Sequence, residues 1–370
     1  MDWTSFRICI ARGASGRIVS EAQRGGRGAG LTSVADYKYD GRTAQELARA
    51  PATGTAIFSD PQRHLAHFAG ANIDFCFTGP GQFTARQTQA QLPRIWLIDT
   101  AEVLPRIARL SLPAHRTLAL FATDTDPNQF CDGVKMGPWD VMLLHGCDGT
   151  VHHRTQGPGN WGLIAVDQAA FIAHCRALSG SNAALPRRRA VLRPTWSAAA
   201  RLRQLHGKIC DLAATAPSIM SHSEATRALE NEVLHALVNC LAGSGDHVSG
   251  LRRHVNIIDA FEQVLTLRLS EPLTVAGMSA EIGVPERTLR ACCLEILGMS
   301  PSRYLRLRRL NMVRAALQRA KPAPGTIAEL AKRYGFSELG RFATSYCQTF
   351  GEAPSATLRR VPQAMVRSLV

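Results

Sequence analysis

The sequence predicts a two-domain α+β protein: an N-terminal antiparallel β-barrel with packing helices, then an all-α C-terminal double helix-turn-helix. Three observations predict it. Short apolar runs broken by turn residues fill residues 52–170, and the apolar period lengthens to three or four residues over 197–241. After residue 250 one helical pattern occurs twice. At about 100–200 residues per domain, a chain of 370 residues has room for two or three such units.

Composition narrows the class. Hydrophobic residues make up 45% and charged residues 19%, which excludes a wholly disordered or fibrous chain. No apolar stretch approaches the ~18 residues of a membrane-spanning helix, and residues 1–7 lack the layout of a secretory signal. No membrane association and a cytoplasmic location are therefore expected. The ten cysteines are scattered singly apart from Cys292 and Cys293, with no CxxC spacing. They read as reduced thiols, the adjacent pair lying in a helical core.

Residues 1–50 carry Arg24-Gly25-Gly26-Arg27-Gly28-Ala29-Gly30 and little periodicity. No GK[ST] follows and no apolar strand leads in, so a flexible tail is expected rather than a phosphate loop. The next domain spans residues 51–245. Residues 92–99, 117–123, 140–145, 150–154 and 161–166 read as strands, separated by Gly, Pro, Asn and Asp clusters without intervening helices. This argues for a barrel or sandwich able to hold one small ligand. Trp96, Phe121, Trp139 and Trp161, on or beside these strands, are the candidate pocket residues for an unknown small-molecule effector.

The same region offers no chemistry. His152 and His153 are adjacent, so on a strand they point to opposite faces and cannot chelate together. His115 and His145 have no HxH partner, and there is no GxSxG elbow or well-set carboxylate pair. No catalytic residue, metal ligand or cofactor is assigned, and the protein is expected not to be an enzyme.

Over residues 197–241, Leu202, Leu205, Ile209 and Leu212, then Leu229, Val233, Leu234, Leu237 and Leu241, mark two amphipathic helices separated by Ala216-Pro217-Ser218. They present more apolar surface than one barrel need cover, so a homodimer contact is expected there. Gly243-Ser244-Gly245-Asp246 reads as a linker.

The C-terminal domain, residues 250–360, holds the repeat. Thr274, Val275, Met278, Gly283 and Val284 recur 52 residues later as Thr326, Ile327, Leu330, Gly335 and Phe336. Leu289, Gly298 and Pro301 recur 53 residues later as Phe342, Gly351 and Pro354. Each copy, 274–297 and 326–350, reads as a helix-turn-helix. Thr274 and Thr326 cap a first helix, and Gly283 and Gly335 end it in a left-handed turn. Small Ser279 and Ala331 let the helices cross, and Val284 and Phe336 fill the wedge. The second helix of each copy offers Arg287, Thr288 and Arg290, or Leu339, Gly340 and Arg341, away from its apolar side. A short exposed helix of this kind fits the DNA major groove. Between the copies, residues 302–319 read as a linker helix carrying six arginines, which its blandest reading leaves solvated.

Charge agrees with a polyanion partner. Residues 250–370 hold 18 Lys and Arg against 9 Asp and Glu, whereas residues 1–249 hold 25 against 20.

Met299-Ser300-Pro301-Ser302-Arg303-Tyr304-Leu305-Arg306-Leu307-Arg308-Arg309-Leu310 resembles the GxSPxxYxxxxRL segment of AraC/XylS-type transcription regulators. The run from Ile327 through Ala328-Glu329-Leu330-Ala331-Lys332-Arg333-Tyr334-Gly335 to Phe336 resembles that family's second-module signature. So do Gly340-Arg341-Phe342 and Phe350-Gly351-Glu352-Ala353-Pro354. The resemblance implies a sequence-specific, double-stranded-DNA-binding regulator, an effector-responsive activator acting as a homodimer and touching RNA polymerase. A regulator of ethanolamine-utilisation type is the nearest sub-branch it suggests. It implies a cupin-like N-terminal barrel, base contacts from Arg287, Thr288, Arg290, Leu339, Gly340, Arg341 and Thr344, and phosphate contacts from Thr274, Arg303, Arg306, Thr326, Lys332, Ser337 and Arg359. The sequence departs from the family at Ala291 and Thr344, where arginines are common, at Cys293 for Phe, and at Thr357 for Tyr. Two rival readings are a cupin-like enzyme fused to a nucleic-acid-targeting module and a non-specific architectural binder.

Overall fold

The computed structural model describes residues 53–68, 71–125, 127–146, 148–179, 188–242, 252–268, 271 and 273–359. The expected tail over 1–50 and the linker at 243–246 lie outside the described residues.

In chain order the N-terminal domain runs β1 (Gly54–Phe58), α1 (Pro61–Leu65), β2 (Asn72–Phe77), β3 (Ala85–Gln91), β4 (Ile95–Glu102) and β5 (Arg106–Ser111). It continues through β6 (Arg116–Ala122), β7 (Gln129–Cys131), β8 (Val134–Met136), β9 (Val141–His145), β10 (Val151–Thr155) and β11 (Gly159–Asp167). Then come α2 (Gln168–Ser179), β12 (Ala190–Leu192), α3 (Trp196–Thr215) and α4 (Ser223–Ala242). A 3₁₀ turn over Pro217–Ser221 joins α3 to α4, where the sequence places the break.

The strands form two antiparallel sheets, β1-β3-β4-β11-β6-β9-β12 and β2-β5-β10-β7-β8. Among the described residues no strand of one is hydrogen-bonded to the other, so the expected barrel is built as two facing sheets. Side chains alternate across a strand, and both faces of the larger sheet are buried. Ile98, Leu120 and Leu163 point inward with Phe75, Ala108 and Val151 of the smaller sheet. Leu97, Ala119 and Ile164 point outward into a second core. There they meet Phe171 of α2, Leu202 and Ile209 of α3, and Val233, Leu234 and Leu237 of α4. This double burial is why β9 and β11 read as continuous apolar runs. It also engages the apolar faces of α3 and α4, and α4 turns Glu224, Arg227, Glu232 and His235 to solvent.

The C-terminal domain runs α5 (Arg252–Leu267), α6 (Val275–Ile282), α7 (Glu286–Cys292), α8 (Pro301–Arg319), α9 (Thr326–Arg333), α10 (Leu339–Phe350) and α11 (Pro354–Arg359). Its first half packs on the outer face of the five-stranded sheet. Cys76 of β2 and Ile107 of β5 share a core with Ile258, Phe261, Met278, Leu289 and Tyr304. Among the described residues no helix is long and apolar enough to cross a membrane.

Candidate nucleic-acid interface

The first module is built from local rules. Thr274 Oγ1 accepts the amide of Gly277 at 3.1 Å and opens α6. Gly283, with φ of 74°, ends it in the left-handed region that only glycine enters cheaply. Buried Ser279 lets α6 and α7 approach, and α7 turns Leu289 and Cys292 inward. After Cys292 the helix widens into a π turn over Cys293–Leu297 and stops at Gly298. Both cysteines of the adjacent pair are buried there, as expected from sequence.

The second module follows the same plan with one difference. Its first helix, α9, opens at Gly325 in the left-handed region rather than on a Thr326 cap; Thr326 Oγ1 donates back to the carbonyl of Ala323 at 2.9 Å. Ala331 is fully buried, and Phe336 fills the wedge 5.0 Å from the ring of Phe342. Tyr346 and Phe350 continue that aromatic ladder. Thr357, standing where the family has Tyr, accepts from the Tyr346 hydroxyl at 2.8 Å and donates to Glu352 at 3.0 Å, so the position stays buried and bonded.

Between the modules α8 opens on Ser300, whose hydroxyl accepts from the amide of Arg303. The bland reading of its arginines as solvated holds for exposed Arg303 and Arg306 and fails for three others. Arg308, Arg309 and Arg314 are buried. Arg308 bonds Asp74 of β2 at 2.6 Å and stays charged although burial opposes it, because Asp74 and Glu262 outweigh burial. Arg309 donates to the carbonyl of Glu271 and lies under Gly335, where an added Cβ would stand 3.0 Å from its Cζ. Arg314 stacks over Phe350 at 4.6 Å. Leucine-rich surroundings hide these roles in the sequence.

A family profile described as a helix-turn-helix domain matches residues 278–360. The chain is 43% identical over 98 residues to the probable thc operon regulatory protein of Rhodococcus erythropolis, covering 26% of this chain and 30% of that protein. It is 34% identical over 104 residues to XylDLEGF operon transcriptional activator 3 of Pseudomonas putida, covering 27% and 31%. The C-terminal domain is of the AraC/XylS helix-turn-helix type. The matched segment of this chain spans about a third of the length of these curated relatives. The crystal structure of the AraC-like transcriptional activator CuxR aligns over 65% of this chain and 85% of its own, at 15% identity and a TM-score of 0.33. The ethanolamine-utilisation sub-branch is not addressed by these matches.

On this AraC/XylS-type domain the candidate base readers differ in readiness. Arg287 is exposed on α7. Arg290 is held by Glu286 at 3.1 Å, and Arg341 by Glu338 at 2.9 Å. Thr288 is half-buried, Leu339 and Gly340 are exposed, and the Thr344 hydroxyl donates to the carbonyl of Gly340. Among the phosphate candidates Arg303, Lys332, Ser337 and Arg359 are exposed. Arg306 is exposed too and donates to Ser345 Oγ, which steadies α10 on α8. The oxygens of Thr274 and Thr326 are engaged in their own turns.

The four aromatic pocket candidates are not brought together. Trp161 lies inside the two-sheet interior, stacked on Phe68 at 5.5 Å. Trp96 has Arg116 over its ring at 3.7 Å. Phe121 faces the other way, toward His206 of α3. Trp139 is exposed beside Arg203, on a surface cavity of about 570 Å³ lined also by Asp99, His206 and Asp211.

Sequence reasoning missed a buried polar chain inside the sheets. His64 Nε2 meets Glu102 at 3.0 Å, Glu102 accepts from Arg106 Nε at 2.8 Å, Arg106 Nη1 reaches His153 Nδ1 at 2.9 Å, and His153 Nε2 reaches Gln129. His152 points outward toward Glu262 instead, on the opposite face as its adjacency requires. The available signal was Glu102 and Arg106, a carboxylate and a guanidinium flanking a turn between two apolar strands.

Proposed function

We propose that the protein is a cytoplasmic, sequence-specific transcription regulator that binds double-stranded DNA and is not an enzyme. One observation carries the reading: two helix-turn-helix modules, joined by one α8, each turn the polar side of a second helix to solvent. That placement suits successive major grooves on one face of a duplex, about 34 Å apart. The two-sheet domain receives a small effector, and its rigid contact with α5 and α8 carries the state of that domain to the readers. The operon activators it resembles support activation, with RNA polymerase as the further partner. A homodimer remains part of the reading; since α3 and α4 engage their apolar faces on the sheet, its contact is polar or lies elsewhere.

Genome-wide footprinting of the purified full chain on its native DNA tests this. A small set of protected sites, each with two contacted tracts one helical turn apart, is the expected result. Uniform protection without sequence preference favours the architectural reading and defeats this one.

A further inference from the structure

One side of α3 leaves open space against the seven-stranded sheet. The cavity of about 570 Å³ beside Trp139 lies between that side of the helix, Asp99 of β4 and Thr123 just after β6. Its volume falls in the range of about 300–1,000 Å³ that small-molecule sites occupy. On α3 its lining includes Ala200, Gly207 and Asp211, which recur on one face of the helix.

Gly207 keeps this space open. It stands inside a helix of 20 residues, where glycine is disfavoured. A glycine is usually held in such a place by a positive φ or by a close neighbour. Gly207 is not among the positive-φ residues, and a Cβ added to it would meet nothing within 4 Å among the described residues. Packing therefore gives no reason for it, whereas access to the cavity does.

Charge decides what fits. Asp99 and Asp211 bring two carboxylates to the lining. Burial raises the Asp99 carboxyl above its ordinary value; Arg86 opposes this from 3.9 Å, and Asp211 and Asp124 add to it. The cation that Asp99 has is thus a loose one on the exposed side. Burial pushes His206 down to about 4, so the imidazole in the wall is neutral. The guanidinium of Arg203 is committed to the protein. Its Nη1 donates to the carbonyl of Pro138 at 2.6 Å, and its Nη2 to those of Thr123 at 2.7 Å and Asp124 at 3.3 Å. Its Cζ also stands 4.8 Å from the centre of the Trp139 ring. A ligand carboxylate would meet two aspartates and a guanidinium already bonded elsewhere. An ammonium brings three donors and the charge that Asp99 and Asp211 lack. The Trp139 ring, Ala200 and the bare backbone of Gly207 form the apolar part of the lining.

We propose that this cavity binds a small primary amine in its ammonium form: the ammonium donates to Asp99 and Asp211, and the hydrocarbon body lies along Gly207 against Trp139. The proposal rests on reading the N-terminal domain as the effector-receiving half, and it names the chemical class of the effector.

The test uses the full chain at pH 7, thermal shift and calorimetry. The probes are phenethylamine and hexylamine, each beside compounds of the same skeleton carrying a hydroxyl or a carboxylate in place of the ammonium. At least one amine should raise Tm and bind at one site per chain, while its alcohol and its acid do not. Asp211→Asn changes an exposed residue and should weaken amine binding about tenfold, the effect of one hydrogen bond to a charged group. Gly207→Leu should raise the Tm of the free protein, because leucine favours a helix, and should abolish amine binding by filling the cavity. Lost binding in that variant is then not lost fold. The proposal is overturned if neither amine raises Tm, if an alcohol or acid binds as tightly as its amine, or if either variant binds the amine as the parent chain does. DNA binding by the same protein, measured without amine, reports separately on the regulator reading, so its survival alongside absent amine binding defeats this proposal alone.

Discussion

The two sheets each carry a helical layer on their outer face, and the two contacts are made of different material. Between the seven-stranded sheet and α2, α3 and α4 the middle of the contact is apolar, from Leu97, Phe121 and Ile164 to Leu202, Val233 and Leu237, with directional bonds beside it from Arg94 to Glu230 and from Arg203 to the carbonyls of Thr123 and Pro138. Between the five-stranded sheet and the C-terminal helices, charges lie across the contact. Asp74 and Arg109 on the sheet meet Arg308 and Glu262 on α8 and α5, and Tyr304 donates to Glu262. Asn311 pairs with the backbone of Phe77 like an extra strand, accepting from its amide at 2.9 Å and donating to its carbonyl at 3.1 Å. Apolar contacts tolerate small shifts, whereas directional bonds hold one geometry or break. In the proposed function the mainly apolar first layer is the fixed architecture, and the second, with charges across it, is the coupling to the candidate reading helices.

Breaking each layer should separate the two roles. Arg308→Met leaves buried Glu262 with a weaker counter-charge and should destabilise the protein by about 3–5 kcal/mol. Leu237→Ala in the apolar layer should cost about 2–5 kcal/mol. Chemical denaturation measures both. The comparison predicts that the Arg308 variant also changes the DNA affinity of the remaining folded protein, whereas the Leu237 variant does not.

Acid should strike the apolar layer through the buried imidazole of His206. Burial pushes His206 down to about 4 from 6.5, with its bonds to the carbonyls of Ile98 and Leu163 opposing only in part. A depressed histidine is neutral in the folded state, so its contribution is fully present above pH 6.5 and is lost as pH falls toward 4. About 3 kcal/mol is at stake over that window. Stability measured from pH 7 to 4 should fall less steeply for His206→Gln.

Asn311→Ala leaves the amide and carbonyl of Phe77 unpaired, at about 1–3 kcal/mol. Hydrogen exchange should rise at β2 while α3 and α4 keep their protection. Equal loosening of both layers would erase the distinction between them.

The difference between the layers also explains what the sequence revealed. Strands buried by apolar residues on both faces, such as β9 with Val141, Met142, Leu143 and Leu144, were legible. The strand β3 was not, because Gln87, Thr88, Gln89 and Gln91 give it no apolar run, and pairing with β1 and β4 holds it in place. Arg106 disguises β5 in the same way. The residues that make the interior polar thus hid both the strands and the buried polar chain they carry. In the C-terminal domain the repeat exposed both modules, since caps, left-handed glycines and wedge residues are local signals. The buried arginines of α8 were not legible, because their partners Asp74 and Glu271 are distant in sequence.

DNA reading by the paired modules is tested most directly by quantitative footprinting on the native operator with Arg287→Ala and Arg290→Ala. Both guanidiniums lie on the exposed side of α7, but Arg290 must first leave Glu286, an exposed ion pair worth at most about 1 kcal/mol. The account predicts that Arg287→Ala relaxes sequence preference by about 1–3 kcal/mol at one base pair, and Arg290→Ala by less. Unchanged affinity and preference in both variants would contradict the assignment of α7 as a reading helix.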